Sequence, residues 1–245
     1  MYFVNWERDV SIQRLDGRMV VRKRNKSTKN FHEYLLAATY SIMSIVMAHP
    51  SAPPPAGRMT LGNEGHYMRN KLKTLGIPTP CLISISEDTI IEEYVEGGNL
   101  YEALAYEKDK KNKIYSLAFQ AGAITGRFHR AGYVFADNKS QNYLVNFDKS
   151  LLRTDLGFIH KTNSIFAQSM DVASFLASVI DFEQYQYEMI EKGFRDGYIS
   201  EVRRNFPYLY IVLRNLLSFG FASNQSAMIQ NMTKGPDTNK EKNKN

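Results

Sequence analysis

A single cysteine, Cys81, is the first constraint that the sequence imposes. One thiol permits no internal disulfide and no thiolate metal site, and it fits a reducing compartment, so a cytoplasmic protein is expected. Between Pro80 and Leu82, Cys81 reads as a small buried apolar residue. The five histidines are scattered without metal-ligand spacing. The first nine residues have neither a basic nor an apolar segment, so no secretory signal is expected there. Long apolar runs are missing too. The longest, 34–48, is short for a bilayer span and is interrupted by Thr39, Ser41 and Ser44. It reads as a buried helix, and no membrane association is expected. Glycine is scarce at the start: only Gly17 precedes residue 23.

What is present is an ordinary globular composition. The 245 residues, 43% hydrophobic and 23% charged, can bury a sizeable core in one domain or a two-lobed one. The net charge of +6 is moderate, and the Lys-rich end supplies much of it. Residues 233–245 have no apolar anchor and are expected to be a disordered polar tail.

Periodicity divides the chain into elements. Residues 10–24 alternate like a hairpin with a turn at Asp16-Gly17. A helix is predicted over 28–48, its apolar face made of Phe31, Tyr34, Leu35, Ala38, Ile42, Ile45 and Val46. Pro53-Pro-Pro55 breaks it, and a second helix over about 61–75 carries Glu64, the only acid between Met59 and Pro80. Strands are predicted at 82–85 and 89–95, then helices over 100–107 and 114–131, with Gly132 as a stop. Asp109–Lys113 reads as a solvated connector. Later helices begin at 169–171, with Ser169 or Asp171 as cap, and at about 208.

The densest polar chemistry lies in 137–157. Asp137, Lys139 and Asn142 precede an apolar hairpin that ends at Asp155. Two short strands bring their outer ends together, so Asn142 and Asp155 are expected to be neighbours, with Asp137 just upstream. Two carboxylates and an amide form an all-oxygen donor set, suited to Mg²⁺ on a phosphate.

This stretch resembles the catalytic core of protein kinases, Asp-x-Lys-x-x-Asn followed by a hairpin and Asp-Phe-Gly; here it reads Asp137-Asn-Lys139-Ser-Gln-Asn142 and Asp155-Leu-Gly157. The resemblance implies that Asp137 accepts the proton of an attacking hydroxyl, that Asn142 and Asp155 hold metal, and that Lys139 offsets phosphoryl charge. It further implies a phosphate-gripping cation at the end of Val20-Val21-Arg22-Lys23: Lys23, with Arg22 and Arg24 as rivals. Glu64 would brace it. Glu93, Tyr94 and Val95, before Glu96-Gly-Gly, would offer backbone to adenine. His129 is expected to be structural, and Asp171 to brace the catalytic loop. The expected fold is α+β, a two-lobed protein-kinase-like domain: a small β-sheet N-lobe over 1–95 and a mainly helical C-lobe over 96–232. No glycine-rich loop precedes Lys23, so residues 2–9 would form any cover. Only 13 residues, 158–170, separate Gly157 from Asp171, too few for a full activation segment.

That shortness, Gly76-Ile-Pro-Thr-Pro80 and Gly193-Phe-Arg-Asp-Gly-Tyr198 resemble the small atypical kinases of the Bud32 (Kae1-associated) and RIO groups. Phe135-Ala136 stands where Bud32 types have His-Gly. The implied function is an ATP- and Mg²⁺-dependent serine/threonine-type phosphotransferase. Its acceptor would be a protein or small-molecule hydroxyl, with a protein-complex partner and only indirect nucleic-acid contact. The alternatives are a pseudokinase, an ATPase subunit of a tRNA-modification complex, and a small-molecule kinase.

Overall fold

Alternating residues on either side of Asp16-Gly17 pair as an antiparallel hairpin, β1 (Arg8–Leu15) with β2 (Arg18–Asn25), in a computed structural model that describes residues 8–107, 110–202, 206–221 and 225–233. Three helices follow: α1 (Lys29–Val46), α2 (Arg58–Asn63) and α3 (His66–Thr74). β3 (Leu82–Ile85) and β4 (Thr89–Glu93) then complete a four-stranded antiparallel sheet of order β1-β2-β4-β3. The remainder is mainly helical. It holds α4 (Leu100–Tyr106), α5 (Lys111–Arg130), α6 (Ile165–Ala177), α7 (Gln184–Val202), α8 (Tyr210–Phe221) and α9 (Gln225–Thr233). Two strand pairs lie among these helices: β5 (Tyr133–Val134) with β8 (His160–Lys161), and β6 (Tyr143–Val145) with β7 (Leu151–Arg153). The fold is α+β, a kinase-like two-lobed arrangement.

The helical part owes its density to α5 against α7. A Cβ on Gly197 would lie 2.0 Å from the carbonyl oxygen of Phe119, so only glycine lets the two backbones come this close. This accounts for the second glycine of Gly193-Phe-Arg-Asp-Gly-Tyr198. Phe194 of the same motif stacks on Phe175 at 4.3 Å in the core.

Several expectations need correction. Helix α1 forms, but its apolar face is turned outward: Phe31, Tyr34, Leu35, Ile42, Ile45 and Val46 are exposed, while Lys29, Glu33, Tyr40 and Ser44 are buried. Its inner face is chosen by polar bonds. Lys29 pairs with Glu33, and Glu33 accepts from Gly57 N–H at 2.7 Å and from the Thr60 hydroxyl at 2.8 Å. A buried carboxylate must find such partners, and they lie only on this side. The helix expected over 61–75 is two helices, and Glu64 is the residue at which the first one ends. The strand expected to reach Val95 stops at Glu93. Helix α6 begins at Ile165 under a Ser164 cap, so neither Ser169 nor Asp171 caps it; both are buried within it. Cys81 is exposed rather than buried. Thr233 ends α9, and the expected polar tail at 234–245 lies outside the described residues, as do residues 1–7 and Asp109; Lys111, Asn112 and Lys113 of the expected connector belong instead to the first turn of α5. Among the described residues, no helix is long and apolar enough to cross a membrane.

Candidate active site

The loop from Phe135 to Asn142 is held from below before it can present anything. Asp171, buried in α6, accepts from the N–H groups of Phe135 and Ala136, each at 2.7 Å, and contacts His129 Nε2 at 2.9 Å. Ala136 adopts φ 59°, a left-handed backbone that costs a non-glycine residue energy, and the Asp171 bonds hold it there. His129 also meets Tyr198 at 3.0 Å, so both of its nitrogens serve structural contacts. Asn138 is buried and donates to the Thr125 hydroxyl and the Asp171 carbonyl. Asp137 and Lys139 remain partly exposed, whereas Asn142 is buried.

There the three loop residues meet. The half-buried Asp137 carboxylate accepts from Lys139 Nζ at 3.0 Å and from Asn142 Nδ2 at 2.9 Å. Asn142 Nδ2 also donates to the Asp137 carbonyl at 2.8 Å, which turns its Oδ1 the other way. Asp155 is brought alongside by the hairpin. Thr154 N–H donates to the Asn142 carbonyl at 3.0 Å, and the neighbouring Arg153 spans the loop, Nη1 on the Asn142 carbonyl and Nη2 on the Asp137 carbonyl, each at 2.8 Å. Arg153 is fully buried, its guanidinium 4.4 Å from the Phe135 ring and 5.0 Å from that of Tyr143. This explains an aromatic residue at position 135: Phe135 stacks on Phe128 at 4.3 Å and supports Arg153.

Asp155 itself has φ 60° and a side chain 32% exposed. Burial pushes its carboxyl up, but Arg8, then Lys23, Lys139 and Arg153 outweigh burial and hold it well below the usual carboxylate range. It is therefore an anion at any ordinary pH.

The sheet contributes the cations. Of Arg22, Lys23 and Arg24, only Lys23 is buried, and it points inward. Its partner is not the one expected. Lys23 Nζ lies 2.6 Å from Glu92 Oε1 and donates to the Thr154 hydroxyl at 2.7 Å. No direct pair with Glu64 forms. Strand pairing explains this: Val21 lies opposite Glu92 and Lys23 opposite Ile90, so Lys23 and Glu92 are diagonal neighbours on one face. Burial alone would lower the Lys23 ammonium, but Glu92, then Glu64 and Asp155, raise it above its ordinary value. Burial likewise works against the Glu92 charge, and Lys23 and Arg69 overcome it and hold that carboxyl low.

Glu64 has other partners. Its Oε1 accepts from Arg8 Nη1 at 2.9 Å and from the N–H of Leu156, the middle residue of Asp-Leu-Gly, at 3.1 Å. Arg69 Nη2 lies 2.9 Å from Glu92 and 3.6 Å from Glu64, linking the two acids. Sequence reading missed Arg8, Arg69, Glu92, Arg153 and Thr154. Glu92 was within reach, since alternation along Ile90-Ile91-Glu92 puts it on the buried face with Ile90; Arg8 carried no local signal.

The strand exit at Glu93, Tyr94 and Val95 runs into Gly97-Gly98. Glu93 is exposed, accepts from Cys81 N–H through its carboxylate at 3.1 Å, and donates its own N–H to the Cys81 carbonyl at 2.9 Å. A Cβ on Gly97 would stand 1.9 Å from the Val145 carbonyl oxygen, and Val145 N–H donates to Gly98 at 3.0 Å. The exit of the sheet is thus pressed against the hairpin that carries Asn142 and Asp155.

Asp137, Asp155 and the Asn142 amide offer hard oxygen donors, the kind Mg²⁺ takes. Among the described residues, no group of three or more His, Cys, Asp or Glu could hold a metal. A cation here would thus complete its shell with ligand oxygens or water, as Mg²⁺ does at phosphates. The donor set fits that ion.

A loop carboxylate beside a lysine and an asparagine, a second carboxylate after a hairpin, and a buried strand lysine are the arrangement expected of a kinase-type site. Comparison with known proteins agrees with this class and narrows it to the Bud32-like atypical kinases, which the chain resembles. No protein-family model matches the chain. It is 28% identical over 127 residues to a probable serine/threonine-protein kinase, BUD32 homolog, of Archaeoglobus fulgidus, covering 51% of this chain and 59% of that protein. It is 28% identical over 123 residues to a probable bifunctional tRNA threonylcarbamoyladenosine biosynthesis protein of Methanospirillum hungatei, covering 50% of this chain and 22% of that protein. With the EKC/KEOPS complex subunit BUD32 of Encephalitozoon cuniculi it shares 38% identity over 74 residues, 30% of this chain and 36% of the relative. The match therefore spans less than two thirds of each of these relatives.

Proposed function

We propose that the chain is an ATP- and Mg²⁺-dependent phosphotransferase of the Bud32-like atypical kinase type, moving the γ-phosphoryl group of ATP to a hydroxyl. The observation that carries this reading is one half-buried carboxylate, Asp137, held by both Lys139 and Asn142 in a loop that Arg153 ties to the strand leading into Asp155. In this reading Asp137 orients the acceptor hydroxyl and takes its proton. Lys139 offsets charge on the phosphoryl group in flight. Asn142, through Oδ1, and Asp155 hold Mg²⁺. That ion, when bound, neutralises phosphate charge. Lys23, fixed by Glu92 and Thr154, positions the phosphates, and Glu64 braces the Asp-Leu-Gly backbone. The backbone of Tyr94 and Val95 and the carbonyl of Glu93, whose N–H is held by Cys81, face adenine. Residues 1–95 act as the N-lobe and 96–232 as the C-lobe. Positioning and fixed charge supply most of the rate in such chemistry.

A second reading is supported by Asp155, whose carboxylate is already paired with Arg8, and by relatives named for tRNA threonylcarbamoyladenosine biosynthesis and the EKC/KEOPS complex. In it the chain serves as a slow ATPase or a nucleotide-binding subunit with a protein partner, touching nucleic acid only through that partner.

Incubation with γ-labelled ATP, with Mg²⁺ or EDTA and with protein and small-molecule hydroxyl acceptors, tests both. Label transferred to an acceptor supports the kinase. Label released only as phosphate supports the ATPase. Binding without either outcome leaves a docking module and overturns the phosphotransferase.

A further inference from the structure

The strand ahead of Lys23 brings no glycine-rich loop, but it does bring a side chain into the site. Arg8 opens β1 at the edge of the sheet, yet its side chain is only 4% exposed. One nitrogen, Nη1, lies 2.9 Å from Glu64 Oε1 and 2.9 Å from Asp155 Oδ1. Glu64 in turn accepts from Leu156 N–H. A single guanidinium therefore ties the break between α2 and α3 to the Asp-Leu-Gly segment. Lys23, the other inward cation of the sheet, is held by Glu92 and Thr154.

An arginine stays charged at every accessible pH. This one sits on the carboxylate to which the proposed function assigns the divalent cation. A monovalent and a divalent cation on the same carboxylate repel each other at such short range. We infer that Arg8 is a resident counter-cation of Asp155: it fixes that carboxylate while no metal is bound and competes with the divalent ion for it, keeping metal affinity low. The identity of the incoming ion rests on the phosphotransferase reading; the ion pair does not.

Two consequences follow, and they differ in kind. Removing the guanidinium leaves Glu64 and Asp155 without their shared counter-charge, so the metal-free protein becomes less stable. The same change removes the competitor, so a divalent cation binds more tightly. A salt bridge with a merely structural role gives the first effect alone. Arg8 is thus a positioning residue, acting on the reaction through Asp155.

The test uses the full chain as wild type, Arg8→Gln, Arg8→Gln/Glu64→Gln and Asp155→Asn. Melting temperature is read in EDTA and then across a MnCl₂ titration with a non-hydrolysable ATP analogue, because a ligand that binds only the folded state raises it. Arg8→Gln is expected to melt lower in EDTA and to reach half its Mn²⁺-induced shift at about one tenth of the wild-type concentration, the scale of one lost unit charge nearby. If Arg8→Gln does not fold, the double variant, which also removes the Glu64 charge that Arg8 had paired, carries the same comparison. Asp155→Asn is expected to lose the Mn²⁺ response. An unchanged Mn²⁺ midpoint in the Arg8 variants, with Asp155→Asn still unresponsive, overturns the inference and leaves the site assignment standing. An Asp155→Asn response equal to that of wild type overturns the assignment of Asp155 itself.

Discussion

On the proposed function, Asp137 and Arg153 divide the work of the loop between chemistry and support, and substitutions at the two sites separate in their effects. Asp137 is half-buried and bonded to groups that a phosphoryl acceptor would also meet, so Asp137→Asn is expected to keep nucleotide affinity and to cut turnover roughly 10²–10⁴-fold, checked by single-turnover kinetics beside a binding titration. Arg153 is fully buried, its guanidinium engaged by two backbone carbonyls and two aromatic rings. Arg153→Met is therefore expected to cost roughly 3 kcal/mol of stability by denaturant unfolding, since two buried carbonyls lose charged donors. The Asp155 carboxyl, held low by Arg8 and its neighbouring cations against the pull of burial, gives a pH signature. A depressed folded-state pKa contributes stability above the unfolded value, near 4, and that contribution drains away as pH falls below it. Melting temperature is expected to fall on acidification below about pH 4 less steeply in Asp155→Asn than in wild type.

At the scale of elements, the meeting of the sheet exit with the β6–β7 hairpin is the joint on which the site depends. Gly97 allows it, because any side chain there would strike the Val145 carbonyl. Gly97→Ala is expected to cost roughly 1–3 kcal/mol and to weaken nucleotide binding, as measured by melting and by titration, because the exit strand must move off the hairpin. Short-range signals made much of this visible in advance. The Asp16-Gly17 hairpin, the Gly97-Gly98 exit and the cluster of Asp137, Lys139 and Asn142 depend on residues within a few positions of one another. Long-range choices were hidden. The outward apolar face of α1 follows from Glu33 meeting Gly57 and Thr60, and amphipathic periodicity cannot say which face a buried ion pair will claim. Glu64 stands out in sequence as the only acid of its stretch, but its partners Arg8 and Leu156 lie 56 and 92 residues away. Lys23 turned to Glu92 because strand register put them diagonally together, a fact that needs both strands at once.

For the whole molecule, a network of opposite charges lies beside the Asp-Leu-Gly segment: Arg8, Lys23 and Arg69 pair with Glu64 and Glu92 within residues 8–92, and Arg8 reaches on to Asp155. Buried pairs of this kind add little net stability but are costly to break singly, so they fix geometry more than they strengthen the fold. A rigid, charge-balanced cleft with one carboxylate toward the acceptor and one toward metal is what phosphoryl transfer requires of its protein. The account therefore stands on metal-dependent chemistry at Asp155. The most direct measurement is Mg²⁺-dependent consumption of γ-labelled ATP by wild type and by Asp155→Asn, side by side, with nucleotide binding followed in the same samples. The account predicts turnover by wild type that EDTA abolishes and that Asp155→Asn lacks. Equal consumption by the two proteins, or nucleotide binding by both with no consumption by either, would contradict it.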